Sequence, residues 1–156
     1  MGSSLKVGDR APEIDAISSD GKRFVLSEQQ GLCTVIFFFP KAFTPHCTTE
    51  TRTFGENFNE ILLAGANIVG VSTDDAATQC RFAGELAVRF PLLADADKRI
   101  SSAYDVLWPL VGLARRYTFV VSPEMRIEAI FHHELNVQKH RDEVLQFVHA
   151  KYEAGR

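Results

Sequence analysis

Apolar residues fall along the chain in two kinds of stretch. Short runs are dense in β-branched and aromatic residues, and longer segments repeat an apolar side chain every three or four positions. Thr34-Val35-Ile36-Phe37-Phe38-Phe39 is the longest run. Residues 33–39 therefore read as a central strand covered on both faces, ended by Pro40. Residues 66–72 read as a second buried strand. Thr73-Asp74-Asp75 follows and can cap a helix, predicted over 76–88. Before the first run, 13–17 and 23–26 flank Asp20-Gly21, a hairpin turn signal. Phe54, Phe58, Ile61 and Leu62 keep a helical spacing, predicting one helix over 48–63. A short extended piece at 90–93 and a short helix over 97–104 come next. Residues 117–121 and 127–132 form a predicted hairpin around Ser122-Pro123-Glu124-Met125. Val144, Leu145, Phe147 and Val148 mark the buried side of a closing amphipathic helix over 139–152.

The order is strand, helix, strand, helix, then a hairpin and a final helix. A parallel start followed by an antiparallel hairpin predicts a mixed central β-sheet flanked by helices on both sides. That is an α/β, thioredoxin-like arrangement. No repeat, low-complexity segment or linker interrupts it, and 156 residues suit one domain. The domain is set at 5–153. Residues 1–4 are placed outside it, as a disordered extension or a remnant of cloning.

Composition narrows the function classes. The hydrophobic fraction of 46% and charged fraction of 24% are ordinary for a globular protein. A net charge of −3 favours neither nucleic acid nor an anionic membrane as partner. No apolar run could span a bilayer, and the first residues lack the apolar stretch of a signal peptide. Cys33, Cys47 and Cys80 are three cysteines without a Cys-x-x-Cys pair. That argues against a disulfide scaffold, a zinc ribbon and a thioredoxin-type redox pair. A reducing compartment, the cytoplasm, and at least one working thiol follow.

Cys47 is the strongest candidate. It follows a strand and a short loop and opens a helix, where unpaired backbone N–H groups and the dipole favour a thiolate. Thr44, three residues earlier, can place a hydroxyl beside the sulfur. Pro40 and Pro45 stiffen the loop and remove two backbone donors, which leaves a drier pocket.

Pro40, Thr44 and Cys47 in the pattern Pro-x-x-x-Thr-x-x-Cys resemble the peroxiredoxin active-site motif. Phe37-Phe38-Phe39-Pro40-Lys41 before it, Thr48-Thr49-Glu50 after it and Val7-Gly8-Asp9-Arg10-Ala11-Pro12 near the start are similar to the same family. So are Val71-Ser72-Thr73-Asp74, Phe90-Pro91-Leu92-Leu93-Ala94-Asp95 and Arg116-Tyr117-Thr118-Phe119-Val120. The resemblance runs from about residue 6 to about residue 148 and is nearest to the peroxiredoxin Q, or bacterioferritin comigratory protein, branch. Ala42-Phe43 departs from that branch's usual acids and resembles the E-type alkyl hydroperoxide reductases and the typical two-cysteine enzymes.

The resemblance implies a thiol peroxidase acting on hydrogen peroxide and organic hydroperoxides. In it Cys47 is the nucleophile that becomes a sulfenic acid. Thr44 hydrogen-bonds the sulfur and the peroxide, and Pro40 shields the sulfur from water. Arg116 supplies the cation that offsets charge on the leaving oxygen, and Glu50 orients it. Arg115 beside it reads as a surface residue. The resolving position five residues after the nucleophile is Arg52, so the short-range route is closed. Cys80, on the helix after the second strand, is the alternative resolving cysteine of an atypical two-cysteine enzyme. A one-cysteine enzyme resolved by an external thiol is the rival. Thioredoxin or glutaredoxin is the implied reductant, no cofactor is implied, and the state is a monomer or a weak dimer. Cys33 reads as core packing.

Other signals carry less. His132-His133-Glu134 lacks the second histidine of a zinc-protease motif, because position 137 is Val, and no metal is assigned. His46 abuts Cys47 but reads as a surface residue. Trp108-Pro109-Leu110-Val111 reads as an apolar loop near the site, a contact surface or core packing. Two other classes share the nucleophile. A redox-gated binding module would turn over slowly and form a stable mixed disulfide. A cysteine hydrolase would need a base, and only His46 is near in sequence.

Overall fold

The computed structural model describes residues 3–133 and 136–154. Its centre is a five-stranded sheet in the order β5-β4-β3-β6-β7. β3 (Cys33–Phe38) lies in the middle, parallel to β4 (Ala66–Ser72) and antiparallel to β6 (Tyr117–Val121). β5 (Leu92–Ala94) extends the parallel side, and β7 (Ile127–His132) closes the other through the expected hairpin. A separate two-stranded ribbon pairs β1 (Asp15–Ile17) with β2 (Arg23–Val25) across Asp20-Gly21. The mixed sheet and thioredoxin-like order are those anticipated from the hydrophobic pattern.

Every residue of β3 is buried, and its alternation divides the core in two. Val35, Phe37 and Phe39 face a layer with Phe54, Ile61, Phe82, Val144 and Val148. These come from α1 (Pro45–Glu56), α2 (Phe58–Leu63), α3 (Ala76–Leu86) and α5 (Val137–Ala154). Ile36 and Phe38 face the opposite layer, with Ile100 of α4 (Arg99–Ala103), Tyr104 and Phe24 of the ribbon. Each fully buried large side chain of this kind contributes roughly 1.5–3 kcal/mol. Gly70 on β4 is required by this packing: a Cβ there would lie 2.6 Å from the Phe37 ring. That ring in turn rests on Phe54 of α1, 4.8 Å between centroids, so the sheet supports the helix that carries Cys47.

Three expectations change. The helix expected over 48–63 is two helices, begun earlier at Pro45 and broken at Asn57, whose φ −98° and ψ 11° are not helical. Gly55 and Asn57 are both poor helix formers, so the break falls where propensity is lowest. Arg115, read as a surface residue, is buried. Its guanidinium donates to the Asp105 carbonyl at 3.0 Å and stands over the rings of Trp108 and Tyr117. Of the four residues set outside the domain, Met1 and Gly2 are not among the described residues, but Ser3 and Ser4 are tied down. Ser3 Oγ donates to the Tyr104 carbonyl at 2.7 Å, and the Ser4 N–H donates to Asp105 Oδ2 at 2.8 Å. Glu134 also lies outside the described residues.

Candidate active site

α1 starts after an extended Thr44 and takes Pro45 as its first residue, which suits a position needing no N–H donor. Cys47 is thus the third residue of the helix rather than its opening one. With Pro45 contributing no donor, His46 and Cys47 supply the amides of this turn, where the positive end of the dipole lies. Cys47, Glu50, Thr51 and Phe54 are the buried residues of α1. That i, i+3, i+4, i+7 spacing puts thiol and carboxylate on one face, a turn apart, against an otherwise apolar layer.

Arg116 immediately precedes β6 and reaches both groups. Its Nη2 donates to Cys47 Sγ at 3.5 Å, and its Nη1 donates to Glu50 Oε1 in a short ion pair. Cys47 is 1% exposed, Glu50 0% and Arg116 3%. Burial alone would lower the arginine pKa, but Glu50 and then Cys47 outweigh it and hold the guanidinium above its ordinary range. A buried pair of this kind is not a cheap stabiliser; removing one partner typically costs about 3–5 kcal/mol. The site therefore keeps a cation fixed against the sulfur.

The loop before α1 is bound to the β4–α3 side of the fold. The Ala42 N–H donates to Asp74 Oδ2 at 2.7 Å, and the Ser72 hydroxyl donates to the same oxygen. Phe43 adopts a left-handed φ of 69°, which costs a non-glycine residue about 1–2 kcal/mol. Its ring meets Phe82 edge-on at 5.0 Å, with the Arg81 guanidinium 5.7 Å from its centroid. Thr44 is half-buried at the helix start. Its hydroxyl donates to the Lys41 carbonyl at 2.7 Å rather than to the sulfur, so the oxygen is left as an acceptor. Pro40 is half-buried at the end of β3, and His46 is exposed.

One further residue lies here that no motif in the sequence marks. His140 of α5 is fully buried, with Nε2 3.7 Å from Glu50 Oε2 and in a short hydrogen bond with Thr118 Oγ1. Burial, then the neighbouring His133, Arg116 and His132, push its pKa down to about 3, so the imidazole is neutral at ordinary pH. Its signal was present: Val137, His140, Val144 and Val148 are the buried stripe of α5, and a histidine interrupts it.

Cys80 is not part of this cluster. It is exposed on α3, between buried Gln79 and Phe82, and unbridged. Cys33 is buried as expected, and desolvation pushes its thiol up to about 11. The 108–111 loop is no part of the core: Leu110 and Val111 are exposed and Trp108 partly so.

A family model described as the AhpC/TSA family matches residues 7–130. The chain is 30% identical over 150 residues to peroxiredoxin Bcp of Escherichia coli K12, covering 92% of this chain and 96% of that one. It is 31% identical over 142 residues to a chloroplastic peroxiredoxin Q of Populus jackii, covering 90% and 67%. Among solved structures, the peroxidoxin BcpB of Mycobacterium tuberculosis aligns with a TM-score of 0.86 at 30% identity, over 97% of this chain and 99% of that one.

Proposed function

The chain belongs to the AhpC/TSA family as a peroxiredoxin, a peroxidase of the oxidoreductase class, and on that premise we propose how its own residues do the work. Cys47 attacks the terminal oxygen of a hydroperoxide as a thiolate. An S–O bond forms as the O–O bond breaks, sulfur is oxidised to sulfenic acid, and the departing alkoxide or hydroxide takes a proton to leave as alcohol or water. The observation that carries this reading is the Arg116 guanidinium, bonded at once to Cys47 Sγ and to Glu50. A cation held there by a buried carboxylate meets negative charge as it develops on the leaving oxygen, with little reorganisation. The Thr44 oxygen, its proton given to Lys41, accepts from the peroxide O–H. Pro40 closes the end of β3 against water.

Cys80 then resolves the sulfenic acid. Its thiolate attacks Cys47 sulfur, an S–S bond forms, and hydroxide leaves as water after protonation. A dithiol reductant of the thioredoxin or glutaredoxin kind reduces the bridge, itself becoming a disulfide. Because Cys47 is buried and Cys80 exposed, the first turn of α1 opens before they meet; helix ends open at lower cost than interiors. The rival reading, resolution by an external thiol, draws on the same exposure difference. The protein is taken to work as a monomer or weak dimer in the cytoplasm. Among the described residues no helix is long and apolar enough to cross a membrane.

Cys47→Ser is expected to abolish thiol-dependent loss of peroxide, and retained turnover would refute the assignment. Mass mapping after one equivalent of peroxide separates the two routes. A Cys47–Cys80 bridge supports the two-cysteine enzyme, and sulfenic acid on Cys47 with free Cys80 supports the one-cysteine enzyme.

A further inference from the structure

We propose that the groove between α3 and the β1–β2 turn binds a small peptide thiol that exchanges with Cys80, a monothiol reductant beside the dithiol proteins; this rests on the two-cysteine reading above. Two cavities lie along this face of α3. The outer, of about 380 Å³, is lined by Cys80 and Gly84 of the helix, Asp20 of the turn and Arg89 beyond the helix end. The inner, of about 200 Å³, is lined by Ala76 and Gln79 of the helix, Ile17 of β1 and Leu92 of β5. Ser19 lines both, so the two adjoin. Sites for small molecules run from about 300 to 1,000 Å³. The sequence makes the room: Ala76, Cys80, Ala83 and Gly84 are small residues at a spacing that puts them on one side of the helix. A Cβ on Gly84 would meet nothing within 4 Å. The facing wall is pinned to β5. The Ser19 N–H donates to the Leu92 carbonyl at 2.8 Å, and the Ser19 hydroxyl oxygen accepts from the Leu92 N–H at 3.2 Å.

Four groups define the occupant. Gln79 is 1% exposed, and its Nε2 donates to the Leu93 carbonyl at 2.7 Å, which fixes the amide and leaves Oε1 as an acceptor. That oxygen has no hydrogen-bond partner among the described residues. A buried acceptor of this kind is matched by an amide N–H. Asp20 and Arg89 place opposite charges on the outer cavity, and each is held. Asp20 Oδ1 accepts from the Ser18 hydroxyl and from the Lys22 N–H at 3.0 Å. Arg89 Nη2 donates to Asn59 Oδ1 at 2.6 Å, with its guanidinium 5.1 Å from the Phe58 centroid. They suit an ammonium and a carboxylate respectively. Cys80 is the fourth group, and a thiol is what exchanges with it. An amide, an ammonium, a carboxylate and a thiol together describe a short zwitterionic peptide.

In the exchange the ligand thiolate attacks the Cys80 sulfur of the Cys47–Cys80 bridge. An S–S bond forms to the ligand, the bridge breaks and Cys47 leaves as a thiolate. A second thiol attacks the ligand sulfur, and Cys80 leaves in turn. Two thiols end as one disulfide, their electrons and protons passing to the two cysteines.

The test uses the full chain as Cys47→Ser, so that no bridge competes, with glutathione disulfide as probe and hydroxyethyl disulfide, which lacks charges and amides, as reference. Mass spectrometry follows the mixed disulfide on Cys80. The rate is expected to saturate with glutathione disulfide. The preference for it over the reference is expected to be about tenfold greater on the folded chain than on the urea-unfolded one. Gln79→Leu and Arg89→Ala are each expected to remove most of that preference; Arg89 is exposed, so its variant decides the matter if Gln79→Leu does not fold. Equal preferences on folded and unfolded chains, a rate linear in probe, or an unchanged preference in Arg89→Ala would overturn the groove as a thiol site. The bridge is judged separately. Sulfenic acid on Cys47 with free Cys80, after peroxide is added to wild type, would refute the two-cysteine reading and with it the reduction step, whatever Cys80 does in Cys47→Ser.

Discussion

Cys47 and Cys80 lie on adjoining helices in opposite surroundings. Cys47 is buried on α1, with an arginine donating to its sulfur, a carboxylate behind that arginine and a neutral histidine behind the carboxylate. Cys80 is exposed on α3, and among the described residues no charged group is bonded to it. Reactivity toward peroxide requires a fixed electrostatic frame, which is available only where water is excluded. Access for a second protein requires the reverse. One thiol cannot have both, and in the two-cysteine reading proposed above the two demands are divided between two helices. The contacts at Ala42–Asp74 and Phe43–Phe82 tie the loop before α1 to α3 and the loop that leads into it, at the place that must open for a bridge to form.

The contrast can be broken most forcefully at Arg116. Arg116→Lys keeps the charge but not the fork that bonds sulfur and carboxylate together, and oxidation of Cys47 is expected to slow about 10²-fold. Stopped-flow mixing with hydrogen peroxide reads this directly, and a near-native rate would show that the frame is dispensable. A second measurement asks whether acid affects only the buried side. His140 is depressed from 6.5 to about 3, so its contribution to stability is complete above pH 6.5 and is lost as pH falls toward 3. From pH 7 to pH 5 this amounts to about 1–2 kcal/mol at most. Chemical denaturation at both pH values should show that loss in wild type and Cys80→Ser alike, and less of it in His140→Gln. Identical pH dependence in all three would remove the histidine from the account. The smallest effect is expected at the junction. Asp74→Asn weakens the bond to the Ala42 N–H by about 1 kcal/mol or less, so the oxidised protein should form its Cys47–Cys80 bridge a few-fold faster. Quenched mass analysis over time checks the rate, and a slower bridge would mean that Asp74 guides the opening rather than restrains it.

The inner strands are legible because burial on both faces leaves near-continuous apolar runs, and residues 66–72 and 117–121 coincide with β4 and β6. Residues 127–132 coincide with β7, an edge strand legible as the second arm of a hairpin. Periodicity makes 48–63 read as one continuous helix, since it records which side is apolar and ignores the weak spot at Gly55 and Asn57. In the active site, Pro40, Thr44, Cys47 and Glu50 lie within one short segment, so their grouping needed no tertiary information. Arg116 is legible only through the resemblance, and its neighbour Arg115 departs from the surface expectation because aromatic faces at Trp108 and Tyr117 can bury a guanidinium. His140 is far along the chain from Glu50 and meets it only when α5 packs on α1. Its sole trace was a polar residue in an apolar stripe, which most often signals a satisfied core group and nothing more.

The burial of Cys33 has a combinatorial consequence. Three sulfurs allow three pairings, and two of those would use Cys33. At the start of the central strand, with burial pushing its thiol up to about 11, it stays protonated and enclosed. Both mispairings are thereby closed while the fold holds. If Cys47 and Cys80 form the bridge proposed above, a chain with an odd number of cysteines then behaves as an even one, and a bridge that includes Cys33 becomes a measure of unfolding.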